Sequence, residues 1–252
     1  MSQLRALLFD VDGTLADTER DGHRVAFNRA FADAGLDWDW SVERYGELLA
    51  VPGGKERIQH YVTHQHPNWE PPKPLAEFAA ELHRAKTQHY QQLLRQGQIP
   101  LRPGVERLLQ QAHQAGLRLA IATTSARPNV MALLESTLQT AHPDWFEQLA
   151  TGEVVAQKKP DPEVYHYLLR EMGLSPHECL AFEDSRSGLR AAVAAGSPTV
   201  VTVNAYTQAQ DFSEAALVLD CLGDPGRPFR PLAGDAGDRP YFDLDLARSL
   251  CG

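Results

Sequence analysis

The sequence predicts an α/β fold, a doubly wound parallel sheet into which a helical domain is inserted, and three observations predict it. From residue 98 onward, short apolar runs of strand length alternate with helical stretches, as consecutive units of a parallel sheet do. One more such run, Leu4 to Phe9, stands alone at the start, separated from the rest by a long stretch without strand character. Polar clusters follow these runs at Asp10, Thr123 and Glu183, where open α/β sheets bind their ligands.

Taken in order, Leu4 to Phe9 is a continuous apolar run, the pattern of a strand buried on both faces. Gly13 lets the backbone turn sharply after it. From about Asp17 to Gly97 the pattern is helical, with punctuation at Pro52-Gly53-Gly54 and from Pro67 to Pro74. Helices are expected near 18–35, 41–50, 54–66 and 74–97, with Trp38 and Trp40 in their core. Pro103 sets up a helix over about 104–115 that ends at Gly116, and Leu117 to Ala122 is the second strand. The alternation continues with helix 127–139, strand 148–152, helix 161–172, strand 179–182, helix 186–195, and strands 199–203 and 216–219. Gly223 to Pro240 is rich in Gly and Pro and reads as a wrapped or mobile segment, with a short helix within Phe242 to Leu250. The expected division is a core of 1–16 plus 98–222, a helical insert of 17–97 and a tail of 223–252.

A chain of 252 residues can bury a substantial core. Its formal charge of -9 argues against nucleic acid or an anionic membrane as partner, so an anionic substrate needs a local basic pocket. No apolar run reaches about 18 residues and the first strand begins near the N-terminus, so neither a membrane span nor a signal peptide is expected. Cys179, Cys221 and Cys251 are odd in number and widely spaced, which suits a reducing compartment and no zinc site. A cytoplasmic monomer is the expectation.

Asp10 and Asp12 are two apart, so in extended chain both carboxylates point to one face. Phosphoryl transfer needs an in-line nucleophile, neutralised phosphoryl oxygens and a proton for the leaving oxygen. Asp10 can attack phosphorus and Asp12 can carry the proton. Lys159 and the Thr123 hydroxyl can hold the equatorial oxygens. Mg2+ would take hard oxygen ligands from Asp10, the Asp12 carbonyl and Asp184, with Glu183 direct or through water. Asp-x-Asp-Gly also opens calcium loops, but Asp21 stands where such a loop has its glutamate.

These residues resemble a known family. Asp10-x-Asp12-Gly13-Thr14, Thr123, Lys159-Pro160-x-Pro162 and Glu183-Asp184-Ser185 resemble the four motifs of the haloacid dehalogenase (HAD) superfamily phosphatases, and the helical insert resembles their C1 cap. More narrowly, Glu19, Gly53-Gly54-Lys55-Glu56-Arg57, His83-Arg84-Ala85-Lys86 and Thr124-Ser125-x-x-Pro128-Asn129 resemble the CbbY group. That group is similar to β-phosphoglucomutase, and its members dephosphorylate xylulose-1,5-bisphosphate, an inhibitor of Rubisco in the Calvin cycle. The resemblance implies that Asp10 is the nucleophile, Asp12 the acid/base, and Thr123 with Lys159 the phosphoryl-binding pair. It implies that Glu19, Gly53, Gly54, Lys55, Glu56, Arg57, His83, Arg84, Lys86, Thr124, Ser125 and Asn129 bind the sugar and its second phosphate. The segment from Glu19 to His23 is one residue longer than in the mutase, so His23 receives no role.

Simpler readings stand beside these. Glu183-Asp184-Ser185 can cap the helix that follows, and Gly53-Gly54-Lys55 can be a helix-starting loop. His83 to Lys86 can be a solvated face. His60, His64 and His66 read as a polar helix end. At the level of function the alternatives are a mutase, a broad sugar-phosphate phosphatase, and a phospho-acceptor module that does not turn over.

Overall fold

The computed structural model describes residues 3–51, 53–138 and 143–251. The chain forms two compact units, one of residues 1–17 with 100–252 and one of 18–99. The first opens with β1 (Ala6–Phe9), every residue of which is buried.

In the helical unit, a π-helical turn over Thr18–His23 runs into α1 (Arg24–Asp33). The sequence predicts one helix over 18–35. The wider turn coincides with buried Gly22, where a Cβ would collide with Tyr90 and Ile99. The unit continues with α2 (Val42–Leu48), α3 (Gly54–Gln65) and α4 (Leu75–Arg95). Trp40 is fully buried and packs edge-on to Phe31 and Tyr61, while Trp38 meets Phe31, Tyr61 and Trp69 in the same way. Both tryptophans are therefore core.

The first unit resumes with α5 (Val105–Gln114), β2 (Arg118–Ala122), α6 (Arg127–Thr137) and β3 (Phe146–Ala150). Residue 139, the expected end of α6, lies outside the described residues. After β3 come α7 (Glu163–Met172), β4 (Cys179–Glu183), α8 (Arg186–Ala194), β5 (Thr199–Thr202) and β6 (Leu217–Leu219). The segment expected to wrap or move adds β7 (Pro231–Ala233), antiparallel to β6, and the short helix expected within 242–250 is α9 (Leu244–Leu250). Phe242, just ahead of α9, is fully buried edge-on to Phe182.

The sheet order is β3-β2-β1-β4-β5-β6-β7, parallel from β3 to β6. Phe9 pairs with Ile121 on one side and Phe182 on the other, so the carboxyl ends of β1, β2 and β4 lie level. Chain order reverses at β1, which makes this edge the topological switch point. Below it, Ala6, Leu8, Ala120, Ala181, Val164, Tyr165 and Leu168 share one core cluster. All three cysteines are free and buried. Among the described residues, no helix is long and apolar enough to cross a membrane.

Arg102 ties the loop after β1 to the far strands. Its buried guanidinium donates to the carbonyls of Gly13, Thr202 (2.8 Å), Val203 (2.6 Å) and Asp220 (2.8 Å), and its Nε lies 3.5 Å from the Asp17 carboxylate. Arg102→Met strands those carbonyls and is expected to cost about 3–5 kcal/mol in urea unfolding, as removal of one partner from a buried charged network does. A loss below about 1 kcal/mol, the worth of one ordinary hydrogen bond, would show that the strand ends hold without it.

Candidate active site

Asp10 is the first residue past β1, and the residue is only 6 % exposed. Its amide donates to Phe182 O at 3.0 Å, which fixes the backbone there. Lys159 comes from the loop before α7, through a cis bond to Pro160. Its ammonium meets Asp10 Oδ1 at 2.7 Å, Glu183 Oε1 at 2.6 Å and Ala122 O at 2.8 Å, three acceptors for three protons. Glu183 ends β4 and Asp184 follows it. Ser185 N-caps α8 by accepting from Gly188 N at 3.2 Å, so capping falls to the serine and leaves both acids to the crevice.

Thr123 and Ser125 follow β2. Thr123 N donates to Ala150 O at 2.9 Å, and Thr123 Oγ1 accepts from Ser125 N at 3.1 Å. Ser125 Oγ is hydrogen-bonded to Asp12 Oδ2. Gly13 has φ +88°, and a Cβ there would collide with Asp184 and Asn204. Thr124 is exposed, and Asn129 lies half-buried in the first turn of α6.

Asp10, Glu183 and Asp184 each offer a carboxylate oxygen within 4.8 Å of the others, the one such group of three among the described residues. This arrangement fits a hard divalent cation. All three donors are oxygens. Glu183 Oε2 is buried without a hydrogen-bond partner. Burial raises the Asp10 carboxyl well above its usual range, against the pull of Lys159 and with help from Glu183, Asp184 and Asp12. Asp184 is pushed up to about 7 by burial and the Glu183 charge, although Asn204, Lys159 and Arg102 oppose the rise. Burial would lower Lys159, but Asp10 and Glu183 more than reverse it, so it stays an ammonium.

Three groups around these acids do not follow from the sequence: Asn204, Arg102 and Tyr165, whose hydroxyl is hydrogen-bonded to Glu183 Oε1. Asn204 Nδ2 donates to Asp184 Oδ2 at 2.7 Å, and Tyr206 N, bonded to Asn204 Oδ1 at 2.9 Å, fixes which way that amide faces. Its place just past β5 is the signal that could have marked it, because Asp10, Thr123 and Asp184 also follow strands. Tyr165 and Arg102 carry no such mark.

In the helical unit, Gly53 precedes α3 with φ +90°, and a Cβ on Gly54 would collide with His83. Lys55 and Glu56 are exposed. Arg57 is buried, with its nitrogens on Leu48 O at 3.0 Å, Val51 O at 3.3 Å and Tyr45 Oη at 3.0 Å. Tyr45 in turn donates to Glu19 Oε2 at 2.6 Å. Arg57 thus sits in a buried relay to Glu19. Arg84 is exposed, 3.9 Å from Glu81, whereas Lys86 is buried over the Phe27 and Tyr90 rings and 2.8 Å from His23 Nδ1. The stretch from His83 to Lys86 is therefore not uniformly solvated. His60 and His64 stack on each other, and His66 stacks on Trp38.

Residues 4–196 match the haloacid dehalogenase-like hydrolase family. The chain belongs to that family. It is 51% identical to Protein CbbY of Rhodobacter capsulatus over 213 residues, 84% of this chain and 91% of that protein. It is 47% identical to the plasmid-borne Protein CbbY of Cupriavidus necator over 249 residues, 98% of this chain and 96% of that one. Among solved structures, a CbbY mutant from Rhodobacter sphaeroides in complex with xylulose-(1,5)bisphosphate is 44% identical, with TM-score 0.70 over 88% of this chain and 98% of that chain. This HAD hydrolase is an enzyme of the phosphatase class.

Proposed function

We propose that this HAD phosphatase is a magnesium-dependent enzyme that hydrolyses xylulose-1,5-bisphosphate to xylulose-5-phosphate through an aspartyl-phosphate on Asp10. The observation that carries the chemistry is the Lys159 ammonium shared by Asp10 and Glu183, beside a third acid, Asp184. The likeness to CbbY proteins, one of them solved with the bisphosphate, supports the substrate.

Asp10 attacks phosphorus as the sugar oxygen departs, and splitting the reaction this way replaces one hard step by two easier ones. Asp12, hydrogen-bonded to Ser125, protonates the leaving oxygen and then takes a proton from the water that breaks the acyl-phosphate. Lys159 and Thr123 hold the equatorial oxygens in place. Mg2+ held by Asp10, the Asp12 carbonyl, Glu183 and Asp184 would offset the repulsion between a carboxylate and a phosphate dianion. Glu19, Gly53, Gly54, Lys55, Glu56, His83, Arg84 and Lys86, with Thr124, Ser125 and Asn129, take the sugar and its non-reacting phosphate. Arg57 serves the same end by holding Tyr45 on Glu19.

The test is phosphate release, with Mg2+, from xylulose-1,5-bisphosphate, ribulose-1,5-bisphosphate, fructose-1,6-bisphosphate and β-glucose-1-phosphate, compared as kcat/KM. Clear preference for the first is expected. Equal values would reduce the enzyme to a general sugar-phosphate phosphatase, and glucose-6-phosphate without phosphate release would make it a mutase. Lys86→Ala is expected to lower kcat/KM for the bisphosphate by about 10²-fold, the worth of one lost charge-assisted contact. Hydrolysis of a small aryl phosphate should change little. Equal losses on both would refute a distal-phosphate role.

A further inference from the structure

Tyr165 is a buried titratable group beside the acids of the site to which the mechanism gives no task. It lies on α7 six residues after Lys159, is fully buried among apolar side chains, and points its hydroxyl at the acidic end of β4. The phenol donates to Glu183 Oε1, the same oxygen that Lys159 reaches at 2.6 Å. Burial and the Glu183 charge hold its pKa well above the ordinary value, so it remains a donor. A Cβ on Gly188 would also run into the Glu183 carboxylate. Glu183 is thus held in one rotamer between a phenol, an ammonium and a glycine, with Oε2 left unpartnered.

We propose that Tyr165 is a positioning residue that fixes the Glu183 carboxylate for a divalent cation. A glutamate side chain has several rotamers, and the phenol and the ammonium together hold Oε1 in the one observed. Groups that orient a ligand in this way typically contribute about 10–100-fold to metal affinity. This inference rests on the reading of Glu183 as a metal-binding acid.

The experiment is Mg2+ titration by calorimetry of the wild-type protein, Tyr165→Phe, Glu183→Gln and the double variant, without substrate. Tyr165→Phe removes one oxygen and keeps the ring in the core. Its dissociation constant for Mg2+ should rise about 10–100-fold. In the Glu183→Gln background the same substitution should change affinity by less than about twofold, because its effect runs through Glu183. Gly188→Ala, whose methyl presses on the same carboxylate, should weaken Mg2+ in the same direction and serves if Tyr165→Phe does not fold. Losses that multiply in the double variant, or single variants that bind as tightly as the wild type, would overturn the proposal. Phosphate release by the wild-type protein tests the phosphatase reading separately, so the two can fail independently.

Discussion

Asp10→Asn is expected to lower phosphate release by at least about 10⁴-fold, the scale on which enzymes lose activity when a covalent nucleophile is removed. The amide keeps an oxygen for Lys159 and the shape of the side chain, so the loss reads nucleophilicity rather than folding. Stability should stay the same or rise. Folded Asp10 holds its proton more tightly than the unfolded chain does, because burial outweighs the Lys159 charge. Ionising it therefore costs stability as pH rises through and above the ordinary carboxylate range. The variant has no such group, so its urea midpoint should fall less than the wild type's as pH rises above about 4. Activity within about a hundredfold of wild type would mean that water attacks phosphorus directly and that Asp10 only assists.

Lys159→Met should be as damaging to stability as Arg102→Met. It leaves Asp10, Glu183 and Asp184 buried within 4.8 Å of one another without their ammonium. Breaking a buried pair of this kind costs about 3–5 kcal/mol. The loss should be greatest above about pH 7 and shrink toward pH 5, because carboxyls raised by burial take up protons in the folded state, Asp184 already at about 7. Mg2+ should restore part of it by binding only the folded protein. Urea unfolding at the two pH values, with and without Mg2+, measures all of this. An equal loss at both would show that Lys159 contributes by packing rather than charge. Phosphate release should fall by about 10²–10³-fold in addition, as when one oxyanion donor is removed.

Much of the core arrangement was legible because the strands are parallel and level. With Phe9 beside Ile121 and Phe182, a polar residue after each strand has to reach the same edge. Asp10, Thr123 and Glu183 announce themselves by interrupting apolar runs. Tyr165 does not, since Val164, Tyr165 and Leu168 form an ordinary core stripe and the direction of a phenol hydroxyl is set by tertiary packing. Strand β7 is equally unreadable, because its exposed Pro-Leu-Ala becomes a strand only by pairing with β6. The β3 boundary moved for a related reason. The sequence predicts 148–152, but Phe146 pairs with Leu119 and Gln148 with Ala120, leaving Glu147 as an extra residue, and the strand starts two residues earlier. In the helical segment the glycine and lysine pattern could be read, while the burial of Arg57 and Lys86 could not, because each depends on aromatic partners remote in sequence.

The clamp at Arg102 sits where the polypeptide re-enters the sheet. Ala16 bridges to Leu101, Arg102 N donates to Leu15 O at 2.8 Å, and the Arg102 side chain secures Gly13 O. The exit and re-entry points of the inserted segment are therefore stitched together by the unit that hosts it. Closing so small a gap demands little chain, and loop entropy grows only slowly with the length inserted. The splice junction is thus a socket: a different insert could be grafted between Asp17 and Pro100 while the loop after β1 keeps its own fastening.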